Sequence, residues 1–70
     1  MKTLNVIGCG RVGQTIARLA RERANYCIQD LYSRSTRSAA RAAEFIGGGR
    51  AATALENMRP ADLWILTVPD

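Results

Sequence analysis

A glycine-rich hexapeptide near the N-terminus has the residue types and spacing of a loop that binds a diphosphate. Gly8, Gly10 and Gly13 fit the pattern G-x-G-x-x-G and lie between a short apolar run and a helical pattern. In such loops the first glycine makes a tight turn, the second lets the backbone approach a pyrophosphate, and the third lets the helix pack on the strand. The backbone N–H groups of Arg11 and Val12 would then face the anion at the positive end of the helix dipole. We therefore predict that these five residues line a pyrophosphate, with a plain glycine turn as the alternative.

A second polar group, Ser33, Arg34 and Ser35, follows the second apolar run and could bind a phosphate. At this position proteins that bind NAD place an acid on the ribose hydroxyls, whereas those that bind NADP place a basic residue near the 2′-phosphate. The planar guanidinium of Arg34 suits a phosphate and the serine hydroxyls add donors, although both serines could simply cap a helix. Asp30 lies 20 residues after Gly10, so NAD remains the alternative if the strand ends early. We expect NADP.

The hydrophobic pattern predicts the elements that must position these groups. A short apolar run over 4–7 indicates a buried strand that breaks at the glycines. Apolar residues then recur at helical spacing and predict a helix of about twelve residues. Its apolar face is formed by Val12, Ile16, Leu19 and Ala20. Asn25 follows the last turn and can adopt the left-handed conformation that ends helices, and a second strand is expected within 26–33.

The second half of the chain repeats this alternation of helix and strand. Ser35 or Ser38 could cap a second helix, which the glycine run 47–49 ends. The packing face of this helix consists of small and apolar residues, namely Ala39, Ala42, Ala43 and Ile46. Short strands are predicted near 50–53 and over 63–66, with a helical turn between them that reaches Pro60.

Together these elements predict an α/β fold, a Rossmann-type parallel sheet with strand order 3-2-1-4. Right-handed crossovers would place both helices on one face of the sheet, so the other face is expected to have no cover. The strand over 63–66 is apolar on both faces, which is typical of a strand between two helix layers. We therefore expect residues 1–70 to be a partial dinucleotide-binding domain, truncated after the fourth strand. Either a homo-oligomer or a C-terminal domain would then complete it.

Composition narrows the function classes. Ten basic and six acidic residues give a net charge of +4, which suits an anionic partner such as a phosphate-bearing cofactor. Nucleic-acid binding is not expected, because a recognisable module and a set of stacking aromatic residues are lacking. Cys9 and Cys27 would lie at opposite ends of the sheet, and with no histidine we expect reduced thiols and no metal site. No apolar run approaches the ~20 residues of a membrane span, and no signal peptide is evident, so we expect a cytoplasmic protein.

Three motifs in order resemble those of a known family. They are Val-Ile-Gly-Cys-Gly-Arg-Val-Gly, Tyr-Ser-Arg-Ser and Ala-Asp-Leu-Trp-Ile-Leu-Thr-Val-Pro-Asp, which together span most of the chain. The pattern resembles the N-terminal NADP-binding domain of the 6-phosphogluconate-dehydrogenase-like group. Within that group it is most similar to Rossmann-like proteins of unknown function with an all-helical C-terminal domain, and it is also similar to pyrroline-5-carboxylate reductases and deazaflavin-linked NADP reductases.

The resemblance implies roles for particular residues. The glycine loop would hold the pyrophosphate and the Ser-Arg-Ser segment the 2′-phosphate, while Thr67, Val68 and Pro69 would border the ribose and the adenine or nicotinamide. Ordinary strand termination is the alternative for these three residues. Asn25 departs from the family, in which glycine is common at that position. Because the substrate-side residues of relatives lie in the later helical domain, no catalytic residue is expected among the 70 residues.

Other function classes remain open at this point. The leading hypothesis is the cofactor-binding part of an NADP-dependent oxidoreductase, with hydride transfer implied by the family. A module that senses a nucleotide without turnover would have the same fold, because fold does not determine function. A methyltransferase of similar topology is disfavoured, since such enzymes usually have an acid where Ser33 and Arg34 stand.

Overall fold

A computed structural model describes residues 1–8 and 10–67 and contains a four-stranded sheet with the order β3-β2-β1-β4. Strands and helices alternate along the chain as β1 (Thr3–Ile7), α1 (Arg11–Arg23), β2 (Cys27–Tyr32), α2 (Thr36–Ile46), β3 (Arg50–Ala51), a 3₁₀ turn (Leu55–Asn57) and β4 (Leu63–Leu66). The three strand pairs are parallel, which confirms the predicted fold class and strand order.

Parallel pairing brings the carboxyl ends of three strands to one edge of the sheet. Ile7, the last residue of β1, pairs with Tyr32 of β2 and with Leu66 of β4. The loops that leave these strands therefore start side by side, and we call this edge the carboxyl edge. Between β1 and β2 the pairing shifts after Leu4, where Gln29 forms a bulge in β2.

The two long helices begin and end as their residues predict. Ser35 caps α2, because its hydroxyl oxygen accepts a hydrogen bond from the Ser38 backbone N–H at 3.1 Å. Gly47 ends this helix in the left-handed conformation, with φ at 94°. Asn25, with φ at 58°, adopts the same conformation just after α1, as the sequence predicted.

The core lies between the helices and one face of the sheet. Leu4, Val6 and Leu31 point from β1 and β2 into this layer and are fully buried. Small residues let the helices approach the sheet closely. The helix residues buried in this layer are Gly13, Ala17, Ala39 and Ala42, together with the larger Ile46. Both helices therefore cover one face, and the predicted packing face of α2 is confirmed.

The predicted packing face of α1 was wrong for three of its four residues, and only Ala20 packs against the core as expected. Val12, Ile16 and Leu19 remain 66%, 45% and 46% exposed, and the helix packs instead through Gly13 and Ala17. The small residues allow the backbone of α1 to come close to the sheet, and this rotates the larger side chains outward. An exposed apolar stripe along α1, formed by Val12, Ile16 and Leu19, is the result.

The second face of the sheet, away from the helices, is partly covered, contrary to the prediction. Asn5 and Asp30 are among the strand residues whose side chains lie on this face. Because successive strand residues point to opposite faces, both side chains lie away from the helices, yet both are fully buried. The connection from β3 to β4 crosses this face, and the Arg59 carbonyl oxygen accepts a hydrogen bond from the Asn5 side-chain amide at 2.6 Å. On the same face, Trp64 of β4, which pairs with Asn5, and Leu66, which lies at the carboxyl edge, stay 39% and 65% exposed.

Asp62 joins the end of the same connection to the start of β1. Its carboxylate accepts a hydrogen bond from the Thr3 backbone N–H at 2.8 Å, and its own N–H donates to the Thr3 hydroxyl at 3.1 Å. The bond from the Thr3 N–H, and a second one that the Thr3 hydroxyl donates to the same carboxylate at 3.2 Å, lower the pKa of the Asp62 carboxyl. Among the residues described, no helix is both long enough and apolar enough to span a membrane.

Candidate dinucleotide-binding site

The residues predicted to bind a cofactor gather at the carboxyl edge. The Gly8 N–H donates to the Tyr32 carbonyl at 2.8 Å, which joins the glycine loop to the end of β2. On the other side, the Thr67 N–H donates to the Ile7 carbonyl at 2.9 Å. The glycine loop thus lies between the end of β2 and the end of β4, where ligands bind in open parallel sheets.

Each glycine of the loop meets a different steric requirement. Gly8 has φ at 82°, and a Cβ atom there would overlap the carbonyl oxygen of Thr67. At Gly13 a Cβ atom would lie 3.0 Å from the Thr67 hydroxyl oxygen and 3.2 Å from the Gly8 carbonyl oxygen. Gly10, in contrast, has φ at −77° and open space around its Cβ position. The fold therefore requires glycine at the first position, leaves little room for a side chain at the third, and has room for one at the second.

The N-terminus of α1 is open at the same edge. Gly10 is the N-cap residue, no side chain of the described residues caps the helix, and the first turn contains no acidic residue. The first N–H groups of an α-helix have no acceptor within it, so those of Arg11 and Val12 remain available to an anion. Both residues are exposed.

The Ser-Arg-Ser segment leaves β2 beside this loop. Ser33 is half-buried, whereas Arg34 is exposed and forms no ion pair or hydrogen bond with any residue that the structure describes. The Ser35 hydroxyl caps α2, as one of the two sequence interpretations had it, and also donates to the Ser38 hydroxyl at 3.0 Å. Of the three residues, Arg34 therefore has the most freedom to bind a ligand.

Asp30 does not reach the edge. Strand β2 continues two residues beyond it, to Tyr32, so the early strand end that the NAD alternative requires does not occur. Its fully buried carboxylate accepts hydrogen bonds from Arg59 at 2.8 Å and from Arg50 at 3.1 Å. The hydrogen bond from the Arg59 side chain holds the pKa of the Asp30 carboxyl below its usual value, against the effect of burial. Both carboxylate oxygens of Asp30 therefore already accept hydrogen bonds from arginines on the second face of the sheet.

The last predicted segment is described only in part. The Thr67 hydroxyl donates to the Gly8 carbonyl oxygen, so its side chain contacts the glycine loop. Val68 and Pro69 lie outside the described residues, as does Cys9 within the loop. Cys27 begins β2 as expected and is exposed.

The sequence interpretation missed the network on the second face. Asn5 and Asp30 interrupt apolar strands, and polar residues at such positions usually need buried partners. Their partner is Arg59, whose backbone N–H also donates to Asp30 at 2.7 Å. The interruption was visible in the sequence, but the identity of a partner 54 residues from Asn5 and 29 residues from Asp30 was not.

Comparison with known proteins agrees with this architecture. The profile of the Rossmann-like domain family matches residues 2–70, and the chain belongs to that family. No curated protein sequence matches the chain. Among solved structures, the chain is similar to a putative NADP oxidoreductase from Bacteroides fragilis, with 28% sequence identity and a TM-score of 0.82. The match covers 99% of this chain but only 26% of that protein. The narrower resemblance to the 6-phosphogluconate-dehydrogenase-like group and to pyrroline-5-carboxylate reductases stays a prediction.

Proposed function

We propose that the chain binds NADP(H) and forms the adenosine-side part of the cofactor site of an oxidoreductase. The observation that carries the proposal is the presence of two anion-binding features at one sheet edge. They are the helix N-terminus behind Gly10 and the guanidinium of Arg34, and neither has a side-chain partner among the residues that the structure describes. The first feature suits a pyrophosphate and the second a 2′-phosphate. Similarity to an NADP oxidoreductase supports the same conclusion.

The residues present fit this cofactor. Open space at Gly10 leaves room for a diphosphate against the backbone, and a side chain there would fill that room. Gly8, Arg11, Val12 and Gly13 would complete the pyrophosphate loop. Ser33 and Ser35 would flank the 2′-phosphate, with Arg34 as its main charged partner. Thr67, Val68 and Pro69 would border the cofactor beyond the loop.

When bound, NADPH supplies a hydride. Residues 1–70 would bind the cofactor and orient it. We propose that residues 1–70 belong to a dinucleotide-binding domain and that the substrate-side groups come from a further domain or a second copy. Because the match covers 26% of the similar solved structure, the oxidoreductase activity is a property we propose for the whole protein.

Isothermal titration of the full chain with NADPH and NADH tests the proposal. We expect NADPH to bind clearly more tightly than NADH, and adenosine 2′,5′-bisphosphate to bind more tightly than 5′-AMP. NADPH and adenosine 2′,5′-bisphosphate carry the 2′-phosphate, whereas NADH and 5′-AMP do not. Equal or reversed affinities would contradict NADP selectivity. Absence of binding by both dinucleotides would contradict the proposed function itself.

A further inference from the structure

Thr67, the residue that follows β4, contacts the glycine loop at its first and third glycines. The carbonyl oxygen of Gly8 accepts a hydrogen bond from the Gly10 N–H at 3.0 Å, which closes the turn. The same oxygen accepts the hydroxyl of Thr67. The turn that precedes α1 is therefore held from outside as well as from within.

The side chain of Thr67 also fills the space that Gly13 leaves open. The Thr67 hydroxyl oxygen and methyl carbon lie 3.0 and 3.1 Å from the position that a Cβ atom at Gly13 would take. Its backbone N–H binds the Ile7 carbonyl at 2.9 Å. Thr67 thus joins the end of β1, the glycine turn and the first turn of α1, and the third glycine of the motif accommodates this threonine.

We propose that Thr67 is a positioning residue, whose hydroxyl orients the Gly8–Gly10 turn so that the first N–H groups of α1 face the pyrophosphate. The role rests on the proposed function, and it differs from a direct contact with the ribose. A loop that is already in its binding conformation loses less entropy when the ligand binds, so a hydrogen bond within the loop increases affinity without touching the ligand. The contribution is the same for NADPH and NADH, because both carry the pyrophosphate.

Two substitutions separate the hydroxyl from the packing. Thr67→Val keeps the shape but removes the donor, whereas Thr67→Ser keeps the donor and removes the methyl group. We expect Thr67→Val to weaken NADPH and NADH binding by the same factor, about three- to ten-fold, which is typical of the loss of one hydrogen bond. Thr67→Ser should stay within about two-fold of the original affinity, since the hydrogen bond remains.

A measurement on the ligand-free chain tests the loop directly. Amide hydrogen exchange by NMR should be faster at Gly10 in Thr67→Val and unchanged in Thr67→Ser. Thr3→Val is the matched control, because the Thr3 hydroxyl donates a hydrogen bond to the Asp62 carboxylate at 3.2 Å and Thr3 begins β1, at the opposite end of that strand from the loop. It should change neither Gly10 exchange nor cofactor affinity. Thermal unfolding of each variant reports whether the fold is retained.

The outcomes separate this inference from the proposed function. If the original chain binds both cofactors and Thr67→Val binds them equally well, only the role of Thr67 is overturned. Unchanged Gly10 exchange in Thr67→Val, or an equal loss of affinity in Thr67→Ser, overturns the role of the hydroxyl as well. If the original chain binds neither cofactor, both the proposed function and this positioning role fail.

Discussion

The carboxylate of Asp30 accepts a hydrogen bond from the guanidinium of Arg59 at 2.8 Å and thereby fastens the connection between β3 and β4 to the middle of the sheet. The Asp30 side chain is fully buried, whereas that of Arg59 is 55% exposed. The carboxylate also accepts from Arg50 and from the Arg59 backbone N–H. A single buried acid thus holds a segment that contains no long helix and that leads directly to β4.

Replacing Asp30 with Asn should destabilise the fold and leave cofactor selectivity unchanged. The change removes the charge that two arginines share, and we expect a loss of about 1.5–3 kcal/mol, the range for hydrogen bonds to a charged group. The free energy of unfolding in urea measures the loss. Glu44→Gln is the control, because this exposed carboxylate on α2 has no ion pair among the described residues. A changed ratio of NADPH to NADH affinity would instead restore Asp30 as a cofactor ligand.

The same acid gives the stability a defined pH dependence. Its pKa is lowered in the folded state, so its contribution is fully present above the unfolded value of about 3.9. The contribution is lost as pH falls through the lower, folded value. The difference in unfolding free energy between the original chain and Asp30→Asn should therefore shrink as acid is added below about pH 3.9. A difference that stays constant from neutral pH into this acid range would contradict the ionised pair.

These contacts show which parts of the fold the sequence can predict. The helical period located α1, and Ser35 and Gly47 marked the limits of α2, because these are local properties of the chain. The period did not determine which side of α1 faces the sheet. Gly13 and Ala17 pack there because small residues permit close approach, whereas Val12 and Ile16 give the stronger hydrophobic pattern.

The candidate site was predictable to a similar extent. The glycine loop and Arg34 were found because motif spacing and charge are visible in the sequence. The burial of Asp30 depends on Arg59, and the contact of Thr67 with the loop depends on the register of β4. Both are products of tertiary structure, so the sequence left Asp30 open as a ribose ligand and gave Thr67 a different predicted role.

Removing the Arg34 side chain should separate the two cofactors. Arg34→Ala is expected to weaken NADPH binding by about 1–3 kcal/mol, or about 5- to 150-fold, because a charge-assisted contact with the 2′-phosphate is lost. NADH binding should change little. Arg41→Ala is the matched control, since Arg41 is also exposed and unpaired among the described residues of α2. Equal losses with both cofactors in Arg34→Ala would indicate a structural role for the arginine.

A side chain at Gly10 should abolish cofactor binding without disturbing the fold. Gly10→Val meets no neighbouring atom within 4 Å of its Cβ, and the backbone there has an ordinary negative φ. The thermal unfolding midpoint should therefore stay close to the original, while the valine fills the space for the pyrophosphate. Gly48→Ala is the control, because its Cβ position is equally open. Retained affinity for NADPH in a folded Gly10→Val variant would show that the loop is a plain turn.

The last prediction concerns the exposed apolar stripe on α1. Val12, Ile16 and Leu19 form a continuous surface, and the exposed Trp64 and Leu66 of β4 add further apolar area at the other side of the sheet. Contiguous apolar patches are uncommon on monomeric soluble proteins, so we expect the chain to self-associate at micromolar concentration. Sedimentation velocity measures this self-association directly.

Two lysine substitutions distinguish the surfaces that could form the contact. Ile16→Lys should shift the distribution of sedimenting species towards monomer if the stripe forms the contact, whereas Leu66→Lys should do so if the contact is the second face of the sheet. Thr53→Lys adds the same charge at an exposed residue that belongs to neither of these two apolar groups and should leave association unchanged. A compact monomer at all concentrations would contradict the prediction.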